Sequence, residues 1–224
     1  MNWILNNLQP ELLSSLTVTI ILAIAFVIIG KKIKAADPLA KPSGVVLVAE
    51  TGIRMLHDYI GNIMPKKFEK FYYPYMSMLF IYLICLNLWG LTGFETPTTC
   101  YSVTLGLATI TFILIQWNSI KHNGVLGYLK STFVPPTNVF GAISPLISLS
   151  MRLFCNLLSG TFIMSMLYMA TSYIATKIIP FNFFGPIIAP VLHIYFDIFS
   201  GVIQALVFVT LSSILISVEN PEEE

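Results

Sequence analysis

The chain has 224 residues, 56% hydrophobic and only 10% charged, with a net charge of +1 and a mean hydropathy of +0.80. Soluble domains carry about 25% charged residues, so this composition describes a bilayer-embedded chain. The near-neutral balance argues against nucleic-acid binding. The three cysteines, Cys85, Cys100 and Cys155, match no metal or redox spacing and read as small apolar residues, so neither a metal nor a cofactor is expected.

The first apolar run covers residues 14–30, just long enough to span with a few flanking residues. Lys31, Lys32 and Lys34 follow it, so the positive-inside rule places them in the cytoplasm and the N-terminus outside. Basic residues follow this run instead of preceding it, unlike a cleaved signal. Residues 44–64 differ: Glu50, Arg54, His57, Asp58 and Asn62 recur every three or four positions, opposite Val46, Ala49, Ile53, Leu56, Ile60 and Ile63. That period predicts an amphipathic helix on the membrane surface, with Glu50–Arg54 as an i,i+4 pair.

Spans are predicted over 71–91 and 101–117, joined by an external loop that holds Glu95 and no Lys or Arg. Lys66, Lys67 and Lys70 precede the first, and Lys121 and Lys130 follow the second, so all three basic clusters fall on the cytoplasmic side. Asn87 and Gln116, near span ends, read as hydrogen-bonding contacts between helices. No internal repeat is visible, which disfavours an inverted-repeat transporter.

The last two segments are long. Residues 138–177 would extend about 60 Å as a helix and 186–218 about 50 Å, against about 30 Å of hydrocarbon. Both must tilt steeply or break, and the turn between them, with Pro180, makes them an antiparallel hairpin. The predicted fold is therefore an all-α membrane protein in one domain: about five membrane helices, one amphipathic surface helix, and a tilted hairpin at the end.

Between Ser131 and Val218 the charged side chains are Arg152, Lys177 and Asp197. Arg152 lies in the middle of an apolar run, where a cation costs roughly 2.5–3.5 kcal/mol and cannot escape by losing its proton. Ser148, Arg152, Asn156 and Ser159 are spaced by 4, 4 and 3 and share one helix face. His193, Asp197, Gly201 and Gln204 repeat the same spacing on the last segment. One reading is a structural Arg152–Asp197 ion pair that locks a scaffold. The other is an ion or proton path, since intramembrane ionisable groups mark such paths and His193 and Asp197 are suited to passing a proton.

Several segments carry a family resemblance. Residues 148–160, from Ser148 through Arg152-Leu153-Phe154-Cys155-Asn156 to Gly160, resemble the Arg-containing helix of subunit a of F-type ATP synthases. Ile203-Gln204-Ala205 and its successors resemble the last helix of that family. The segments 87–91, 97–99, 102–108 and 120–130 match it in order, so the resemblance covers about residues 38–218.

The resemblance implies a non-catalytic stator subunit of a bacterial plasma-membrane complex, a mitochondrial one being less expected. It implies contact with a rotating c-ring, a b-subunit peripheral stalk and the rest of the complex. It also implies that Arg152 is a fixed charge facing the ring carboxylates. Asp197, His193, Asn156, Gln204, Ser148, Ser159 and Thr161 would border the ion path, with H⁺ the expected ion. Thr161 stands where relatives often carry an acid or His. Relatives also carry an acid near the start of the Arg helix; this chain has Asn138, and no acid from 131 to 196. The cytoplasmic exit is therefore expected to use Asn138, Ser144 and water. The alternative is a self-contained channel or secondary transporter built on an intramembrane Arg/Asp pair.

Overall fold

The computed structural model describes residues 10–35, 44–92, 96–133, 135, 137–178 and 184–219. The loop acid Glu95, the turn around Pro180 and the tail 220–224 lie outside them. Every regular element among the described residues is helical: α1 (Pro10–Ala35), α2 (Val45–Gly61), α3 (Tyr72–Leu88), α4 (Tyr101–Phe133), α5 (Thr137–Ile178) and α6. α6 is continuous through three segments, Phe184–His193, a π-helical Ile194–Phe199, and Ser200–Val218. Five of these six helices are long and apolar enough to cross a membrane; α2 is the exception.

α1 exceeds the predicted apolar run at both ends, because Glu11 suits the partial positive charge of its first turn and Lys32 and Lys34 suit the last. α4 passes well beyond residue 117. The stretch carrying Lys121 and Lys130 is helical and bent back at Gly124, whose φ of 70° only glycine adopts without strain. The polar sequence there does not end the helix, which keeps its geometry to Asn123 and resumes after the break at Gly124. α5 runs 42 residues through Pro145, about 63 Å, so it must lie steeply tilted or protrude.

α3, α4, α5 and α6 build the core, with Met76, Leu83, Ile115, Leu149, Leu153, Phe208 and Val209 all at most 2% exposed. α1 is peripheral; Val18 is its one buried hydrophobic among the described residues. In α2 the apolar stripe is partly covered: Ile60 is fully buried, Val46, Ala49, Leu56 and Ile63 are half-buried, and Ile53 is 50% exposed. Glu50 and Arg54 pair across the solvent face at 2.9 Å.

Side-chain carboxamides tie the helices together. Asn87 Nδ2 donates to the Gly201 carbonyl at 2.9 Å, and Asn118 Nδ2 to the Ile216 carbonyl at 2.8 Å, so α6 is held near both ends of its last segment. Gln116 Nε2 donates to the Ala142 carbonyl at 3.0 Å and fixes the start of α5. A helix carbonyl has a second lone pair, which lets it accept these bonds without giving up its own helix. At Gly201 a Cβ would lie 3.1 Å from Asn87 Cβ, so the close approach of α3 to α6 depends on that glycine.

Candidate functional site

Arg152 lies on the exposed face of α5, between Leu149 and Leu153, which point into the core. The side chains at 148, 152 and 159 are all exposed, so this open stripe runs along much of the helix. Among the described residues Arg152 makes no ion pair and no hydrogen bond. Ion pairs among the described residues include Glu50–Arg54, His57–Glu69 and His193–Asp197. The Arg152–Asp197 lock is therefore absent, and Asp197 is engaged elsewhere.

Asp197 Oδ2 is 2.7 Å from His193 Nδ1, one turn away on α6. His193 Nε2 lies 3.2 Å from the Tyr168 hydroxyl of α5. Both ring nitrogens thus have a partner in either protonation state. A neutral ring donates from Nδ1 and accepts at Nε2, and a protonated ring donates from both. The pair opens into a cavity of about 430 Å³ that also meets Glu11, Thr96, Thr99 and Thr161. The Thr161 hydroxyl donates to its own helix, to the Leu158 carbonyl at 2.8 Å.

The π-helical turn separates two groups that share a face in the sequence pattern. A π turn holds about one residue more than an α turn, so it rotates the downstream helix by about 100°. The Ser200 N–H accordingly reaches back five residues to the Tyr195 carbonyl. His193 and Asp197 face the cavity, whereas Gly201 packs against α3 and Gln204 is buried at 8% exposure.

Asn156, one turn beyond Arg152, faces α6. Its Oδ1 accepts from Ser200 Oγ at 2.8 Å, and its main-chain carbonyl accepts from Ser159 Oγ at 2.9 Å. Asn156 Nδ2 and Gln204 Nε2 are buried, and neither has a hydrogen-bond partner among the described residues. At the opposite end of the bundle, Asn138 borders a cavity of about 270 Å³ with Gln116, Tyr128 and Glu219. Ser144 is exposed and does not line it. Sequence reasoning missed Glu11, Tyr168, Ser200 and Glu219, all of which reach these places through tertiary packing.

The two ends of the bundle differ in charge: Lys67, Lys70, Lys121 and His122 meet around one cavity, and Glu11, His193 and Asp197 around another. Fold and site together define a multi-pass, all-helical membrane protein with ionisable groups held inside its spans.

The particular family follows from comparison. The model of the ATP synthase A chain family matches residues 12–217, and the chain belongs to that family. ATP synthase subunit a of Mycoplasma genitalium is 33% identical over 90% of this chain and 76% of its own length; that of Mycoplasma pneumoniae is 33% identical over 87% and 73%. A Propionigenium modestum relative, named as ATP synthase subunit a, sodium ion specific, is 30% identical over 75% of this chain and 60% of its own length. The chain is thus a non-catalytic membrane subunit, resident in a bacterial plasma membrane.

Proposed function

We propose that this chain is the stator subunit that carries two ion half-channels and presents Arg152 to a rotating ring of c subunits, with a b-subunit stalk holding it against rotation. One observation carries the reading: Arg152 is exposed and, among the described residues, has no partner in its own chain. A guanidinium kept at that depth needs an anion, and the ring carboxylates supply one from outside.

The working cycle follows from electrostatics. A proton enters the outer cavity, passes the Asp197–His193 pair and neutralises a ring carboxylate. The neutral site turns through lipid cheaply, whereas a charged one does not. On reaching Arg152 the carboxylic acid meets a fixed positive potential that favours its anion, and the proton leaves towards the cytoplasm. The same potential repels a cation moving straight between the half-channels. The membrane supplies about 2.3 kcal/mol per charge per 100 mV.

The test is Arg152→Ala in the complete complex in inverted vesicles. ATP-driven pumping is expected to vanish while the subunit still inserts; normal coupled pumping would overturn the reading. Repeating the parent assay with Na⁺ varied at fixed pH checks the ion, because a proton path gives rates independent of Na⁺. The rival, a self-contained transporter built on an Arg152–Asp197 pair, predicts transport by the isolated chain in liposomes. It is disfavoured because Asp197 bonds to His193 instead.

A further inference from the structure

We infer that Glu219 is the proton-exchanging group at the cytoplasmic mouth, in place of the acid missing from the start of α5. The inference rests on the stator reading above and deepens it. Glu219 is the one acid among the residues lining the inner cavity, and it is half-buried. Its position is fixed: the Asn118 bond to the Ile216 carbonyl holds the end of α6 against α4, and the Glu219 N–H donates to the Leu215 carbonyl at 3.3 Å. Tyr128 is the other titratable group of that lining, and its hydroxyl donates to Gln116 Oε1 at 2.6 Å. Lys121 and His122, on the same helix, line a different cavity.

The cavity also has a route to Arg152. Pro145 has no N–H, so the Gly141 carbonyl lacks its helical donor and is open to water; both residues line the cavity. From there Gly141, Pro145, Ser148 and Arg152, spaced by 4, 3 and 4, form one stripe of α5, about 16 Å from first to last. Ser148 and Arg152 are exposed along it. In the pumping direction Glu219 takes a proton from cytoplasmic water and becomes the neutral acid. It then passes that proton to water on this stripe and returns to carboxylate, and the proton ends on a ring carboxylate.

The test uses the complete complex in inverted vesicles, whose outer medium is the cytoplasmic side. Glu219→Gln is expected to pump at the parent rate in acidic medium and at least about tenfold slower in alkaline medium, where hydronium is scarce. Glu219→Asp should restore most of the rate. Parent rates at every pH, or an equal loss at every pH, would overturn the inference. Arg152→Ala in the same assay separates the failures. If that variant still pumps, the stator reading falls. If it does not, and Glu219→Gln behaves as the parent, only the Glu219 inference falls. Independently of assembly defects in the Glu219 variants, Ala142→Cys in a chain with Cys85, Cys100 and Cys155 changed to Ser should be labelled by a membrane-impermeant thiol reagent from the cytoplasmic side. Absence of labelling would overturn the water-filled mouth.

Discussion

The outer and inner cavities are built on opposite principles. At the outer end the titratable groups sit on a membrane-spanning helix. There the Asp197 carboxylate is held at 2.7 Å by His193, which leans on Tyr168. At the inner end Gln116 and Tyr128 of α4 and Asn138 of α5 are neutral, and the acid is Glu219, the residue that follows α6. A charge inside hydrocarbon is tolerated where a partner or water meets it; a charge at a helix end reaches water without help. The outer end therefore needs a matched pair, and the inner end can manage with one acid and a carbonyl released by Pro145.

That contrast ranks the variants. Below the complete loss expected for Arg152→Ala, the largest effect belongs to Asp197→Asn. A positioned proton carrier contributes about 10²–10⁴-fold, so pumping should fall by on the order of 100-fold or more. Pumping at the parent rate across pH would remove Asp197 from the path. His193→Gln should lose less. It keeps a hydrogen bond to Asp197 but not the protonated partner, and a hydrogen bond to a charged group is worth about 1.5–3 kcal/mol. A loss of about tenfold in pumping is expected. A loss equal to that of Asp197→Asn would show that His193 carries the proton itself and does not merely hold the acid.

The outer site was legible because charges inside apolar runs are rare. Arg152, Asp197 and His193 stand out by type and by spacing alone. Two features hid the rest. The π turn at Ile194–Phe199 breaks the face that spacing assigns to His193, Asp197, Gly201 and Gln204, and nothing in residues of ordinary helix propensity announces an extra residue in a turn. Glu219 begins a run that continues to Glu222, Glu223 and Glu224, and such a run reads as a solvated tail. Its return against α4 and α5 is a tertiary event, set by Asn118 and by the helical continuation of α4 past Gly124. The helices themselves followed from hydropathy, whereas the ends of α1 and α4 did not, because a helix can continue after its sequence turns polar.

The smallest effect separates the scaffold of the inner mouth from its chemistry. Gln116 lines the same cavity as Glu219, yet its amide is occupied: Nε2 bonds to the Ala142 carbonyl and Oε1 to the Tyr128 hydroxyl. Gln116→Leu removes both bonds. The bond to Ala142 joins two membrane helices, where such bonds average about 0.6 kcal/mol, so the destabilisation should be on the order of 1 kcal/mol, seen as a slightly lower thermal midpoint of the purified complex. Pumping should fall less than about threefold, by the weakening of a single such bond, and its pH profile should keep the parent shape. A pH-selective loss like that expected for Glu219→Gln would mean that the proton travels through the Gln116–Tyr128 bond, because a residue that only braces the start of α5 has no means of making the rate depend on hydronium.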